Sequence, residues 1–228
     1  MTQTPLKELH IFDMDETLIA QDLSVLWHQH LVDTLQLADA QFVEQDKLLM
    51  ADYYQGAMDL DRYVAFSLEP LARFTTIEID QLADQFVQST AAGYLYPQAR
   101  ELIDTLQQQG KACMIISATV TFLVRALARF LGVPFAEGVN LVEIDNHYTG
   151  RIEGVPSYQS GKVIRLQQWL ETQNEQYQAT HFYSDSINDL PLLLAVPNPV
   201  VVNGCPQLLI EAKARDWPQK NWSIELNR

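Results

Sequence analysis

Short apolar runs alternate along this chain with longer stretches of helical periodicity. "LHIF" (Leu9–Phe12) predicts a buried strand, as does "ACMIISA" from Ala112. Between them "PQARELIDTLQQQG" predicts a helix opened by Pro97 and closed by Gly110. "TFLVRALARFLG" predicts the next helix, ended by Gly132, and "VNLVEIDNHYTGRIEG" predicts two strands around a turn at Asp145 to His147. The last third predicts a helix "GKVIRLQQWLETQ", a strand "THFYSD", a short helix "LPLLLA", a strand "PVVV" and a closing helix from about Gln207. Strand and helix taking turns in this way predict an α/β fold.

From about Asp22 to Ala92 the rhythm breaks. "LSVLWHQHLVDTL", "DAQFVEQDKLLMADYYQ", "LDRYVAFSLEPLARF" and "IEIDQLADQFVQSTAA" all carry helical periodicity, and none reads as a strand. The expectation is an α/β domain built from residues 1–20 and 93–228, with an all-helical insertion at 21–92.

Composition narrows the function classes. With 228 residues, 47% of them hydrophobic, the chain is long enough to bury a sizeable core. Fifteen Lys and Arg against 29 Asp and Glu give a formal charge of −14, which repels nucleic acid and anionic lipid. No run approaches the roughly 18 apolar residues of a membrane span, and Met1 to Leu9 has no signal-peptide pattern, so a cytoplasmic protein is expected. Cys113 and Cys205 lack metal or redox spacing and read as reduced thiols. Oligomeric state is not legible.

The candidate chemistry begins where the first strand ends. Asp13 and Asp15, in "DMDET", sit at a strand's carboxyl end, where open parallel sheets bind ligands. Two carboxylates this close repel unless a cation lies between them or one is protonated, and a hard cation such as Mg²⁺ meets the first condition. Taken alone, "DMD" is more often a surface turn. Three weaker signals follow in order: Ser117 closing "ACMIIS", Lys162 in the first turn of a helix, and Asp185 with Asp189 after "HFYS". Alone these read as an N-cap serine, a solvated lysine and turn acids. Together they place acids, a hydroxyl and an ammonium at successive strand ends. His28 and His30, two apart on a helix, point to different faces and suit a metal poorly; they read as surface or pocket-lining residues. Trp27, Tyr53, Tyr54 and Phe66 read as core, with a pocket wall as the alternative.

The ordered set resembles the haloacid dehalogenase superfamily, in its phosphoserine-phosphatase-like branch. Asp13, Asp15 and Thr17 match the family's DxDx[TV], Ser117 its strand-end hydroxyl, Lys162 its lysine, and Asp185, Asn188 and Asp189 its acidic fourth motif. The helical insertion falls where that branch carries a cap. Glu16 stands where Gly or Ser is common, Ala118 where glycine often follows the serine, and Ser184 and Ser186 flank Asp185 in place of glycine.

The resemblance implies a Rossmann-like parallel sheet core with an inserted helical cap domain, and a Mg²⁺-dependent phosphatase acting on a small-molecule phosphate monoester. Asp13 would be the nucleophile and Asp15 the acid and then the base. Ser117, Ala118 and Asn188 would contact substrate, and Lys162 would neutralise charge. Mg²⁺ would be held by Asp13, the Asp15 carbonyl and Asp185, with Asp189 behind them. Asp22 would meet a substrate amine. Laid without gaps from Gly56, the sequence puts Ser67 where phosphoserine phosphatases carry a carboxylate-binding arginine, with Arg62 and Arg73 nearby. That disfavours phosphoserine and favours an amino-alcohol phosphate, with histidinol phosphate as the leading candidate. Phosphoserine hydrolysis, phosphoryl transfer to an alcohol, and non-catalytic phosphate binding are the alternatives.

Overall fold

Leu9, Ile11 and Phe12 expose no surface, so β1 (Lys7–Phe12) is covered on both faces, as the middle of a parallel sheet requires. The computed structural model describes residues 6–54 and 57–224; Gln55 and Gly56, and the side chains of Tyr53 and Tyr54, lie outside that description. After β1 come α1 (Leu23–Asp33), α2 (Ala40–Tyr54), α3 (Leu60–Leu68) and α4 (Thr76–Ser89), with no strand among the described residues between them. Then follow α5 (Pro97–Gln108), β2 (Ala112–Val120), α6 (Thr121–Leu131), β3 (Phe135–Val139), β4 (Leu141–Ile144) and β5 (His147–Ile152). The chain continues through α7 (Ser160–Thr172), β6 (Tyr177–Ser184), α8 (Leu190–Ala195), β7 (Asn198–Val202), α9 (Pro206–Ala214) and β8 (Gln219–Lys220).

Six strands form one parallel sheet in the order β3-β2-β1-β6-β7-β8. All their carboxyl ends therefore lie along one edge. The strand order reverses between β1 and β6, the position where such sheets leave a ligand crevice. The fold is thus the expected α/β class with a Rossmann-like sheet. Two strands escaped the sequence reading: β3, whose "FAEGV" is short and interrupted by Gly138, and β8, only two residues long. The turn at Asp145 and Asn146 has positive φ at both residues (51° and 60°), the geometry that closes a two-residue hairpin between β4 and β5.

Apart from a small cluster of its own around Leu49, Met50 and Tyr63, the helical insertion shares its core with the sheet domain. Trp27, Val64, Ile79 and Phe86 from its helices join Phe12, Phe122, Leu123 and Leu127 of the sheet and α6 in one apolar cluster. The β4–β5 hairpin is bound to it as well: Gly150 packs against Ala65, and the Thr76 N–H donates to the Asn146 carbonyl at 2.8 Å.

Both histidines of α1 are buried, which corrects the surface alternative. His28 sits among Phe42, Tyr63 and Phe66, and His30 between Trp27 and Phe86, because α1 is covered on two sides. Cys113 is buried, its thiol pushed up to about 12 by desolvation, and Cys205 is half-buried; both are free thiols.

Within β1, His10 stacks on His181 of β6 at 4.2 Å, and burial followed by the His181 charge lowers its pKa to about 4. The unfolded chain keeps a histidine pKa near 6.5. Acidification between these values therefore protonates the unfolded state first, and the contribution is present above about 6.5 and lost as the pH falls toward 4. In urea titrations the stability difference between wild type and His10→Gln should shrink by about 1–3 kcal/mol over that interval. A difference independent of pH would contradict it.

Candidate active site

Each functional side chain is delivered by the end of a sheet strand or by the helix that follows. Asp13 leaves β1 with its N–H still bonded to the Tyr183 carbonyl of β6 at 2.9 Å, and its side chain is buried. Lys162, in the first turn of α7, is 2% exposed and donates to Asp13 Oδ1 at 2.7 Å and to Asp189 Oδ2 at 2.8 Å. Ser184, the last residue of β6, donates to the same Asp189 oxygen at 2.7 Å. That lysine reaches the site because α7 starts tight against the preceding loop: a Cβ on Gly161 would lie 2.0 Å from the Pro156 carbonyl oxygen. Only glycine fits there.

Asp185 accepts from the Thr17 hydroxyl at 2.9 Å, and its own N–H donates to the Thr17 oxygen at 3.0 Å. This reciprocal pair fixes the third residue of "DET" against the strand end of β6. Between them Glu16 has φ 56°, a left-handed conformation costing an L-residue about 1–2 kcal/mol. That backbone explains why glycine is common at this place in the motif.

Ser117 is where the structure corrects the sequence reading. It does not end its strand: β2 runs on to Val120, and the ladder with β3 is regular to Ile116, then slips before resuming at Val120. The bulge brings the Ser117 hydroxyl to Asp15 Oδ2 at 3.0 Å, and Thr119 to the same oxygen at 2.9 Å. Gly138 across the ladder permits it, since a Cβ there would lie 2.6 Å from the Thr119 carbonyl oxygen. The other Asp15 oxygen accepts from the Leu23 N–H of α1 at 2.7 Å. Asp15 is therefore bound both to β2 and to the first turn of the helical insertion. Thr119, Ser184 and Leu23 were missed in the sequence. Ser117 and Thr119 two apart on a strand share a face, a signal that was present.

Asp13, Asp15, Glu16, Asp22, Asp185 and Asn188 line a cleft of about 530 Å³, open solvent at its mouth included. Burial raises the Asp13 carboxyl to about 7, the Lys162 charge opposing it and Asp189 and Asp15 adding to it. Burial and then Asp13 hold Asp185 well above the usual carboxylate range. Asp15 is raised by burial against the pull of its hydrogen bonds from Leu23, Thr119 and Ser117. Asp22 caps α1 by accepting from the Val25 N–H at 3.1 Å; burial and then Asp15 raise it well above normal.

Ala118 is not among the residues lining this cleft. With Asp15, Asp22, Met58, Leu60 and Tyr63 it lines an adjoining cavity of about 290 Å³. Ser67 is buried beyond it, whereas Arg62 and Arg73 are exposed, Arg73 over the Phe74 ring at 4.9 Å. Gln159 Nε2 approaches Asn188 Oδ1 at 3.5 Å.

The parallel sheet thus gathers paired acids, a buried lysine and hydroxyls at its central strand ends, the arrangement of a hydrolase site. The chain belongs to the haloacid dehalogenase-like hydrolases, whose family pattern it matches over residues 11–194, and it is a phosphatase. It is 36% identical over 221 residues to a histidinol-phosphatase of Neisseria meningitidis, covering 95% of this chain and 100% of that one. Its fold superposes with TM-score 0.86 on a Bordetella pertussis protein of unknown function, at 31% identity, covering 97% and 100% of the two chains. A substrate-bound phosphoserine phosphatase superposes with TM-score 0.66 at 16% identity over 96% and 94%, a likeness of fold.

Proposed function

We propose that this chain is a Mg²⁺-dependent phosphatase hydrolysing L-histidinol phosphate through an aspartyl-phosphate on Asp13. One observation carries the choice of substrate. The cavity beyond Asp15 is walled by Asp22, Tyr63 and apolar side chains, with no arginine or lysine among its described lining residues. A substrate ammonium finds the Asp22 carboxyl there, while a carboxylate finds no guanidinium. The 36% identical histidinol-phosphatase supports the same reading.

The residues also fit a divalent cation. Asp13 and Asp189 both bind the Lys162 ammonium, Asp15 and Asp185 line the same cleft as Asp13, and Asp13, Asp15 and Asp185 have raised pKa values led by burial. Asp13, Asp185 and the Asp15 carbonyl would hold Mg²⁺. Among the described residues no three His, Cys, Asp or Glu side chains are grouped as a metal site, so an ion held there would draw its further partners from the Asp15 carbonyl, water and phosphate oxygens. The bound ion would neutralise charge on the transferring phosphoryl group.

Lys162 fixes Asp13 Oδ1, so attack on phosphorus falls to the other oxygen. As the P–O bond to the leaving group breaks, Asp15 gives its proton to the departing alkoxide. It then takes one from the water that cleaves the aspartyl-phosphate, and Asp13 is restored. Ser117 and Thr119 hold the Asp15 oxygen through both steps.

The test is kcat/KM for L-histidinol phosphate and L-phosphoserine side by side, with a chelated control. The first should exceed the second by about 10²-fold or more, the scale on which an unpaired charged group is rejected. EDTA should silence both and added Mg²⁺ restore them. A phosphoserine value equal or higher would overturn the substrate assignment.

A further inference from the structure

Behind the cavity that Asp15 and Asp22 share lies a second, about 360 Å³ with open solvent included, lined by Trp27, His28, Ser67, Phe122 and others. Ser24, Leu60, Tyr63, Ala118 and Thr119 line both, so the two cavities adjoin across a shared wall between Asp15 and Trp27. In this inner cavity Trp27 Nε1 and Ser67 Oγ are buried without any hydrogen-bond partner. Trp27 is 1% exposed and Ser67 6%. Buried polar groups are ordinarily paired, and leaving one unpaired costs stability.

The neighbouring polar groups are engaged with each other. Asp46 accepts from the Tyr63 hydroxyl at 3.1 Å and lies 2.8 Å from His28 Nδ1, while the Ser24 and Thr119 hydroxyls meet at 3.3 Å. Besides His28 Nδ1, which lies beside Asp46 without an aligned hydrogen bond, what remains is one N–H that can only donate and one hydroxyl that can do either, at a cavity walled by aromatic rings. A neutral five-membered nitrogen heteroaromatic complements this set. Its bare nitrogen accepts from Trp27, its N–H donates to Ser67, and its flat ring packs against Trp27 and Phe122.

We infer that the inner cavity between α1, α3 and α6 is the binding site for the leaving group's aromatic ring, held in its neutral form between Trp27 Nε1 and Ser67 Oγ. The inference rests on the amino-alcohol phosphate reading above and adds the residues that select the side chain. The leaving group would enter past Asp15, leave its ammonium at Asp22 and seat its ring at Trp27.

Full-length Ser67→Ala and Trp27→Phe are assayed with L-histidinol phosphate and with L-alaninol phosphate, which has the amine and no ring. Each variant should lower the ratio of kcat/KM for the ring-bearing over the ring-free ester by about tenfold, mainly through KM. Inhibition of p-nitrophenyl phosphate hydrolysis by L-histidinol should weaken by the same factor, and inhibition by L-alaninol much less. Unchanged ratios, or equal losses on both esters, would overturn the site. The milder serine variant keeps the test readable if the tryptophan variant folds poorly. Wild type preferring phosphoserine would sink the substrate assignment alone. L-histidinol binding wild type no better than L-alaninol would sink the ring site.

Discussion

Asp13→Asn should reduce turnover by about 10⁴-fold or more while the protein stays folded. Asparagine has the shape of aspartate, but its amide oxygen does not form a stable bond to phosphorus. The buried surroundings tolerate the exchange, because it removes one of the two carboxylates bonded to a single ammonium, and Lys162 keeps its bond to Asp189 at 2.8 Å. Thermal unfolding should therefore move little, or upward, while phosphate release disappears. Beryllium fluoride should form an adduct on Asp13 of the wild type, seen by peptide mapping or crystallography, and none in the variant. A variant retaining a tenth of the wild-type rate would exclude Asp13 as the nucleophile.

Lys162→Met should damage stability and turnover together. Burial alone would lower this lysine's pKa, but Asp13 and then Asp189 outweigh it and raise the pKa above the ordinary lysine value. The ammonium is thus held charged with 2% exposure. Removing it strands two buried carboxylates, a loss of about 3–5 kcal/mol. For a chain of this size that corresponds to a Tm drop of order 10 °C. Turnover should fall by about 10²–10³ from the loss of one preorganised charge at the reacting group. Lys162→Arg should recover part of the Tm and little of the rate, since the larger guanidinium keeps the charge in the wrong place. If Lys162→Met unfolds at the wild-type temperature, the ion pairs contribute far less than their burial implies.

Much of the site was legible because its residues stand at places where local pattern and chemistry coincide. Asp13 follows a run that can only be a buried strand, and Asp185 follows another. Their meeting needs no more than adjacent parallel strands, which β1 and β6 supply. Lys162 required only a helix beginning at Ser160. What escaped depends on contacts distant in sequence. The spacing of Ser117 and Thr119 was readable, but the slip in β2 that turns both toward Asp15 is allowed by Gly138 on another strand, which no local pattern announces. The burial of His28 and His30 likewise comes from different partners on two sides of α1, where helical periodicity could say only that they diverge. The orphaned Trp27 and Ser67 atoms belong to helices α1 and α3, and their sharing a cavity is a property of packing alone.

The shared apolar cluster, in which Trp27, Ile79 and Phe86 pack with Phe122 and Leu127, bears on how such enzymes diverge. A segment with its own interior can be exchanged as a cassette, because cutting it out exposes little. Here excision of residues 21–92 would strip α6 and one face of the sheet of their covering. Exchange of this insertion would therefore disturb the core that it shares with α6. A transplanted insertion would have to arrive together with a matching surface on α6.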